Sequence, residues 1–389
     1  MNNSKIWQIP LLHKEGDENK HRPVTWLELF YDLFYVAVIG SLSSELSAYM
    51  SFDGIRNFCI GFIPIWWIWV GSTIYNERFE TDGIENRIFS LMLMIPVTGL
   101  AVFAHNASGE NLRNFLVSYA IARMIIIYLW ARAGIYNKNF RPVSNIYILG
   151  FSISVILVTI AAILNSEISK ILFPIALVID LHTPFFTIRL QQKLPRFTTS
   201  KLPERYGLFT IIVLGEIVVG IISGLSHHAH FVPAHIPLGI LGIATALGFW
   251  WLYFDFIARR PFHRKVAITI IWSYIHMPLV MSFALIGAGL ETLIANYVLV
   301  EQQALEIYLM TLGIALILIG LLELTLERNE NEPTTPLISV SIKVVSGLVG
   351  IATAISGVIH TSVLSMVIGL CLILLNIFYS TYVWFHQKV

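Results

Sequence analysis

Apolar runs of roughly twenty residues recur along the whole chain and constrain its fold more than any other feature. A helix needs about 20 mostly apolar residues to cross the hydrocarbon core of a bilayer. Lipid offers no partners to backbone polar groups, so we expect an all-α, polytopic transmembrane helix bundle. Twelve such runs can be counted, at 25–48, 54–76, 86–105, 111–131, 146–165, 168–189, 205–225, 235–257, 266–290, 303–325, 338–358 and 363–384.

Composition supports the same class. Of the 389 residues, 56% are apolar and only 13% are charged, whereas soluble domains carry about a quarter charged residues. The polar tail at 1–24 is the longest segment outside the runs, and it lacks the short apolar core and cleavage site of a secretory signal. We therefore expect the first span to direct insertion and the function to reside within the membrane.

The distribution of basic residues predicts the orientation. With the N-terminus inside, cytoplasmic segments carry 21 Lys and Arg residues and the opposite segments carry 3, while Arg123 lies within a span. The positive-inside rule then places both termini in the cytoplasm. The basic loops are a topology signal, so no nucleic-acid partner is expected. Cys59 and Cys371 both fall inside spans and support neither a disulfide framework nor a thiolate metal site.

The chain resembles itself at an offset of 184 residues. LFYDLFYVAVIG (29–40) pairs with VLGEIVVGIISG (213–224), which sets Asp32 opposite Glu216. A duplicated unit of six helices has an even number of spans, so its two copies would be parallel, as in many transporters. Duplication by itself does not establish transport. The expected organisation is a cytoplasmic tail at 1–24, a first six-helix half at 25–189, a cytoplasmic loop at 190–204 and a second half at 205–389.

Ionisable residues inside the spans are the candidates for function, because a charge at the bilayer centre costs about 2.5 to 3.5 kcal/mol even on lenient scales. Glu216 lies among glycines that permit close approach of another helix, and a carboxyl that exchanges a proton near physiological pH suits a proton relay. His276 can titrate around neutrality. The alternative for each residue is a buried, hydrogen-bonded structural role. The candidates for a proton relay or substrate site are Asp32, Asp180, His182, Glu216 and His276.

Asp180 and His182 precede Pro184, which can kink or interrupt their span. On a continuous helix the two side chains face well apart. A broken helix would instead bring the acid, the imidazole and Thr183 to one break. An ion or substrate site and an ordinary proline kink both stay open.

Two acids near the start of the first span receive different interpretations. Thr25 followed three residues later by Glu28 is the pattern of a capping box, and the first turn suits an acid. Trp26 beside it is typical of an interfacial aromatic residue. Asp32 lies one turn deeper and has no cap to serve, so we expect it to be the functional member of the two.

The remaining charges are candidates for ion pairs. Arg123 is expected to pair with Asp32, Asp180 or Glu216, or to bind a substrate anion. Asp255 can pair with Arg259, four residues on and on the same face. The loop SHHAHFVPAH, which begins with His227 after its serine, holds four histidines. It lacks a thiolate and any recognised ligand spacing, so no metal site is predicted.

Motifs of familiar chemistry are missing from the sequence. It contains no GxxxxGK[ST] nucleotide loop, no GxSxG elbow and no HExxH motif, which argues against ATP-driven pumping and the common intramembrane hydrolases. We expect no cofactor and no enzymatic activity, although an unfamiliar enzyme stays open.

Four ordered segments carry a resemblance to a known family: HRPVTWLELFYDLFYVAVIGSLSSEL, ERYGLFTIIVLGEIVVGII, WWLYFDF and IHMPLVMSFALIGAGLE. Together they resemble the low temperature requirement protein A (LtrA) family of bacterial integral membrane proteins. The resemblance implies a contribution to growth at low temperature and implies no particular substrate or reaction. Positions that it assigns to the family's pattern are Trp26, Glu28, Asp32, Glu204, Glu216, Asp255, His276 and Glu291.

Two functional hypotheses follow. The first is a secondary transporter of a small solute, driven by protons through Asp32, Glu216 and His276, with the solute bound near the membrane midplane. The second is a membrane enzyme or sensor that acts on lipids or in envelope adaptation without transport, with Asp255 and the basic loops contacting anionic head groups. The expected partners are the lipid bilayer, protons and a small-molecule solute. The sequence leaves the oligomeric state open.

Overall fold

A computed structural model describes residues 7–12, 24–79, 83–104, 109–164, 167–195, 201–227, 235–258, 265–296, 302–326, 348, 351–352, 355 and 363–386. Its elements are helices, which confirms the all-α class. In chain order they are α1 (Trp26–Ala48), α2 (Phe52–Phe79), α3 (Ile84–Ala104), α4 (Leu112–Tyr136), α5 (Arg141–Leu164), α6 (Ser169–Phe186), α7 (Ile188–Gln191), α8 (Lys201–Ser226), α9 (His235–Tyr253), a π-helical turn (Phe254–Ala258), α10 (Val266–Ala295), α11 (Gln302–Glu323) and α12 (Val363–His386).

Within these described residues, ten helical segments are long and apolar enough to cross a membrane. They coincide with the first ten predicted runs, so the chain is a multi-pass membrane protein. Helix α12 occupies the predicted twelfth run. The predicted eleventh run, 338–358, lies almost wholly outside the described residues, and the count of twelve stays a prediction.

The chain divides into two compact units, and the first comprises Met1–Val38, Asn57–Arg205 and Arg264–Ile270. In this unit α3 packs on α4, α4 on α5 and α5 on α6, the order expected when short turns join antiparallel helices. Helix α2 is largely buried, and its Trp66 and Trp69 are enclosed completely. Helix α5 instead exposes Leu149 and Ile163, as a helix facing lipid does.

The second unit comprises Ile39–Arg56, Tyr206–His263 and Ile271–Val389. Here α12 packs on α9 and α11. The division of the chain into halves at 25–189 and 205–389, with its parallel repeats, stays a prediction.

Helices α8 and α10 approach to backbone contact inside the second unit. A Cβ added at Gly220 would lie 2.1 Å from the carbonyl oxygen of Gly287, and one at Gly287 would lie 2.5 Å from that of Glu216. A Cβ added at Gly224 would lie 2.8 Å from the Cβ of Ile294. Only glycine fits at such separations, and small residues are the usual means of close helix approach in membranes. This contact fixes where the Glu216 side chain emerges.

Replacing Gly220 by Ala should therefore force α8 and α10 apart and lower the free energy of unfolding by about 1–3 kcal/mol, the usual cost of overpacking. Gly215 lies in the same helix, but apart from its chain neighbours and the adjacent backbone of α8, no atom of the described residues lies within 4 Å of a Cβ added there. Gly215→Ala is thus the matched control and should change stability by less than about 0.5 kcal/mol. Thermal unfolding in detergent, with the loss of monodisperse protein as the signal, measures the stability of both variants. Equal midpoints for the two variants would contradict the close contact.

Candidate functional site

Four buried charges from α1 and α8 form one network, which we call the α1–α8 charge cluster: Glu28, Asp32, Lys201 and Arg205. Arg205 donates from Nη2 to Oδ1 of Asp32 at 2.7 Å and from Nη1 to Oε1 of Glu28 at 3.4 Å. The Nζ of Lys201 lies 3.2 Å from the same Glu28 oxygen. Two acids and two bases balance, which is how buried charges are tolerated in apolar surroundings.

Trp69 of α2 adds a neutral donor to this cluster. Its indole Nε1 donates to Oδ1 of Asp32 at 2.7 Å, and the Arg205 guanidinium carbon lies 5.8 Å from the Trp69 ring centroid. The second oxygen of Asp32, Oδ2, is buried and accepts no hydrogen bond from the residues that the structure describes. Within those residues Asp32 is held by one oxygen only, between a cation and an indole.

Glu28 combines two tasks. Its Oε2 accepts from the Thr25 backbone amide and hydroxyl, each at 3.0 Å, and the Glu28 amide donates to the Thr25 hydroxyl at 3.3 Å. This is the reciprocal geometry of a capping box. Its other oxygen belongs to the charge cluster. Trp26 is 87% exposed at the same helix start, a position that suits an aromatic residue at the interface.

A second buried ion pair joins α4 to α6. Arg123 donates from Nη2 to Oδ1 of Asp180, and the Tyr119 hydroxyl donates to the other oxygen of Asp180. Both charged side chains are fully enclosed. The guanidinium carbon lies 4.0 Å from the ring centroid of Phe151, a cation–π distance. Of the three acids that the sequence offered to Arg123, the structure selects Asp180.

Glu216 differs from these acids, because its carboxyl has neither a cation nor a hydrogen-bond donor among the residues that the structure describes. It lies against Gly40 of α1, where an added Cβ would come within 3.2 Å of Oε1, and it is only half-buried. The carboxyl of Glu291 on α10 is near enough to repel it. Glu291 accepts at 3.4 Å from Nε2 of His227, whose side chain is 61% exposed at the end of α8. The exposed His227 imidazole, the Glu291 carboxyl and the Glu216 carboxyl thus form a series that begins at the end of α8 and leads into the bundle.

His276 is enclosed and fully bonded. Its Nδ1 lies 2.7 Å from the carbonyl oxygen of Trp272 and its Nε2 lies 2.9 Å from the Tyr253 hydroxyl. The ring of Tyr206 packs edge-on against the imidazole. With both nitrogens occupied, this imidazole is placed to hold α9 and α10 together.

The other sequence candidates are His182, Asp255 and Arg259. Helix α6 continues through Pro184 to Phe186, so His182 faces outward, exposed, with Nδ1 at 2.8 Å from the Val178 carbonyl oxygen. It does not join Asp180. Asp255 is half-buried in the π-helical turn, and Arg259 lies outside the described residues.

The sequence candidates divide between the two units. Asp32 and Asp180 each bind a separate arginine in the first unit, while Glu216 and His276 belong to the second. Sequence reasoning missed Lys201, which it placed in the cytoplasmic loop at 190–204, and Arg205, which is the first residue of the seventh predicted run. Helix α8 begins at Lys201, and the spacing of four residues, which puts both cations on one helix face, was the available signal.

This architecture defines a class: a multi-pass helical membrane protein with internally paired charges and a carboxyl, that of Glu216, which has no cation in the described part of the chain. The LtrA family, described as bacterial low temperature requirement A protein, matches residues 23–378. The chain belongs to this family.

A curated relative is similar to the chain over most of its length. The uncharacterized protein RA0937 of Rhizobium meliloti (strain 1021) is 24% identical over 308 residues, which cover 73% of this chain and 72% of that protein. No solved structure matches the chain.

Removing the cation of the α1–α8 charge cluster should be costly. Arg205→Leu leaves the Asp32 carboxylate uncompensated and should lower stability by about 3–5 kcal/mol. Adding Asp32→Leu removes that charge and should recover part of the loss. Arg56→Leu is the control, since Arg56 pairs with Asp53 at 3.0 Å on the surface and such pairs contribute about 0–1 kcal/mol. Thermal unfolding of the wild type and the three variants measures the loss and its recovery, and a double variant no more stable than Arg205→Leu would contradict the expectation.

Proposed function

We propose that the protein is a proton-coupled secondary transporter of a small solute, and that it catalyses no covalent reaction. The observation that carries this proposal is the Glu216 carboxyl, deep in α8, without a cation in the described part of the chain. An unpaired carboxylate in a span is costly, so structural purposes alone do not favour it. A carboxyl that takes up and releases a proton would serve a function that accounts for its position inside the span.

The order of groups supports a route for the proton. His227 is exposed and bonds Glu291, and Glu291 lies close to Glu216. In the proposal, the proton enters at His227, because this is the exposed member of the series. Glu291 passes the proton on, and Glu216 carries the coupled charge state.

Asp32 supplies a second titratable position. Its Oδ2 is buried without a hydrogen bond from any described residue, so a proton there would weaken the tie to Arg205 without displacing a donor. Release of Arg205 from Asp32 would then loosen α1 from α8. Such breakable ion pairs are one means by which a proton biases a conformational equilibrium.

We also propose the location and orientation of the chain. The excess of basic residues in alternate connections supports insertion in the inner (cytoplasmic) membrane with both termini in the cytoplasm. Partners in this scheme are the lipid bilayer, protons and the solute. The proton route would then begin on the outer side, where His227 ends α8.

Transport can be tested in proteoliposomes that contain a pH-sensitive dye. Added solutes, drawn from small carboxylates, amino acids and sugars, should produce proton movement with the wild-type protein. Glu216→Gln and Glu291→Gln should each reduce this movement at least about 100-fold, the scale of losing a positioned proton-transfer group. Glu167→Gln alters an exposed acid paired with Lys170 and should leave it unchanged. Proton movement that persists in Glu216→Gln would refute the relay.

The orientation is tested separately with C-terminal reporter fusions. Fusions of a fluorescent protein that matures only in the cytoplasm should fluoresce, and alkaline phosphatase at the same position should be inactive. Phosphatase placed after His227 should be active, because that end of α8 is expected to lie outside. The reverse pattern would contradict the proposed topology.

A further inference from the structure

Arg123 carries hydrogen-bonding capacity that the described part of the protein does not use. Its side chain is fully enclosed, and its Nε and Nη1 have no hydrogen-bond partner among the described residues. Its Nη2 is engaged by Asp180. Buried donors on a charged group are rarely left without an acceptor, so each such case requires an explanation.

Asp180 does not supply the missing acceptors. Each of its two oxygens already accepts one hydrogen bond, one from the Arg123 Nη2 and the other from the Tyr119 hydroxyl. The pair is thus asymmetric, because both oxygens of the acid have a donor, whereas Nε and Nη1 of the cation have no acceptor among the described residues. The unused donors of Arg123 point to an acceptor from outside the pair.

The surroundings of these two donors are apolar. A Cβ added at Gly71 would lie 3.3 Å from Nη1 and 3.2 Å from Cδ1 of Ile126, so the guanidinium is bordered by a residue without a side chain. The Phe151 ring centroid lies 4.0 Å and the Trp67 ring 5.9 Å from the guanidinium carbon. A ligand here would meet one guanidinium and otherwise aromatic and aliphatic surface.

We propose that Arg123 binds the carboxylate of a small organic acid that bears one negative charge, whose apolar part packs against Phe151 and Trp67. This inference rests on the proposed transport function and names its substrate class. A guanidinium binds a carboxylate through directional charge-assisted hydrogen bonds, and one negative charge costs less to bury than the two of a phosphate.

The position and the charge balance agree with this assignment. Arg123 lies near the middle of the 25-residue α4, and transporters bind substrate near the bilayer midplane. The Arg123–Asp180 pair is neutral, so a bound carboxylate brings one net negative charge into the membrane. A proton carried with it restores neutrality, which gives the solute a physical reason to be coupled to protons.

Binding can be measured without transport. The thermal midpoint of the purified full-length protein in detergent is recorded with benzoate or propionate, with the neutral amides benzamide and propionamide, and with inorganic phosphate. The carboxylates should raise the midpoint and the amides should not. Arg123→Lys keeps a cation for Asp180 but loses the additional guanidinium donors, so it should weaken carboxylate binding by about tenfold or more.

A matched variant separates this site from a general loss of arginine. Arg132→Lys alters another buried arginine of α4, one whose Nη2 bonds the Gln8 backbone carbonyl, and it should bind carboxylates as the wild type does. Should Arg123→Lys fail to fold, Gly71→Ala tests the same site. Its methyl group would crowd Nη1 and should weaken carboxylate binding while the Arg123–Asp180 pair is retained.

The outcomes distinguish this inference from the proposed function. No stabilisation by either carboxylate, equal stabilisation by the amides, stronger stabilisation by phosphate, or unchanged binding in Arg123→Lys would each overturn it. Carboxylate binding without any proton movement in vesicles would leave this site standing and refute proton coupling. Proton movement driven by sugars or amino acids, with no carboxylate binding, would support proton coupling and refute the carboxylate site at Arg123.

Discussion

The pairing of charges inside an apolar bundle is the interaction on which the rest of this structure depends. Arg205 joins α8 to Asp32 of α1 across 173 residues of sequence, and Arg123 joins α4 to Asp180 of α6 across 57. A charge without a partner is expensive in lipid, so each arginine ties its helix to one particular neighbour. Apolar packing in a bilayer supplies little of this selectivity, because lipid tails are as apolar as the side chains they would replace.

Compared with these paired charges, Glu216 is distinguished by its neighbours more than by its burial. Asp32 and Asp180 have found cations, whereas Glu216, within the described residues, faces Gly40 and the carboxyl of Glu291. Its position follows from the contact of Gly220 with Gly287, which brings two backbones together and leaves the acid at the margin of the packed helices. The same small residues that stabilise the bundle therefore define the position of the Glu216 carboxyl, which is the proposed proton site.

Arg123 and Asp32 illustrate a related principle. Each belongs to a charge-balanced group, yet each retains polar atoms that the described part of the chain leaves unused, namely Nε and Nη1 of Arg123 and Oδ2 of Asp32. A pair that served only to hold two helices together would gain from satisfying every atom. Incomplete satisfaction is what a site needs if it must exchange partners with a solute or a proton during a cycle.

Sequence determined the class of the protein and most of its elements, because crossing a bilayer demands helices of a set length and the runs that satisfy this demand are plain to read. It identified Glu28 as a cap from its spacing to Thr25, and the acids inside the spans from their cost in lipid. Tertiary structure alone decided the partners: Arg205 for Asp32, Asp180 for Arg123, and Glu291 beside Glu216. These pairings join residues on different helices. Hydropathy does not indicate which face of a helix contacts which neighbour, because glycine contacts and charge pairs determine the packing and form only when the helices come together.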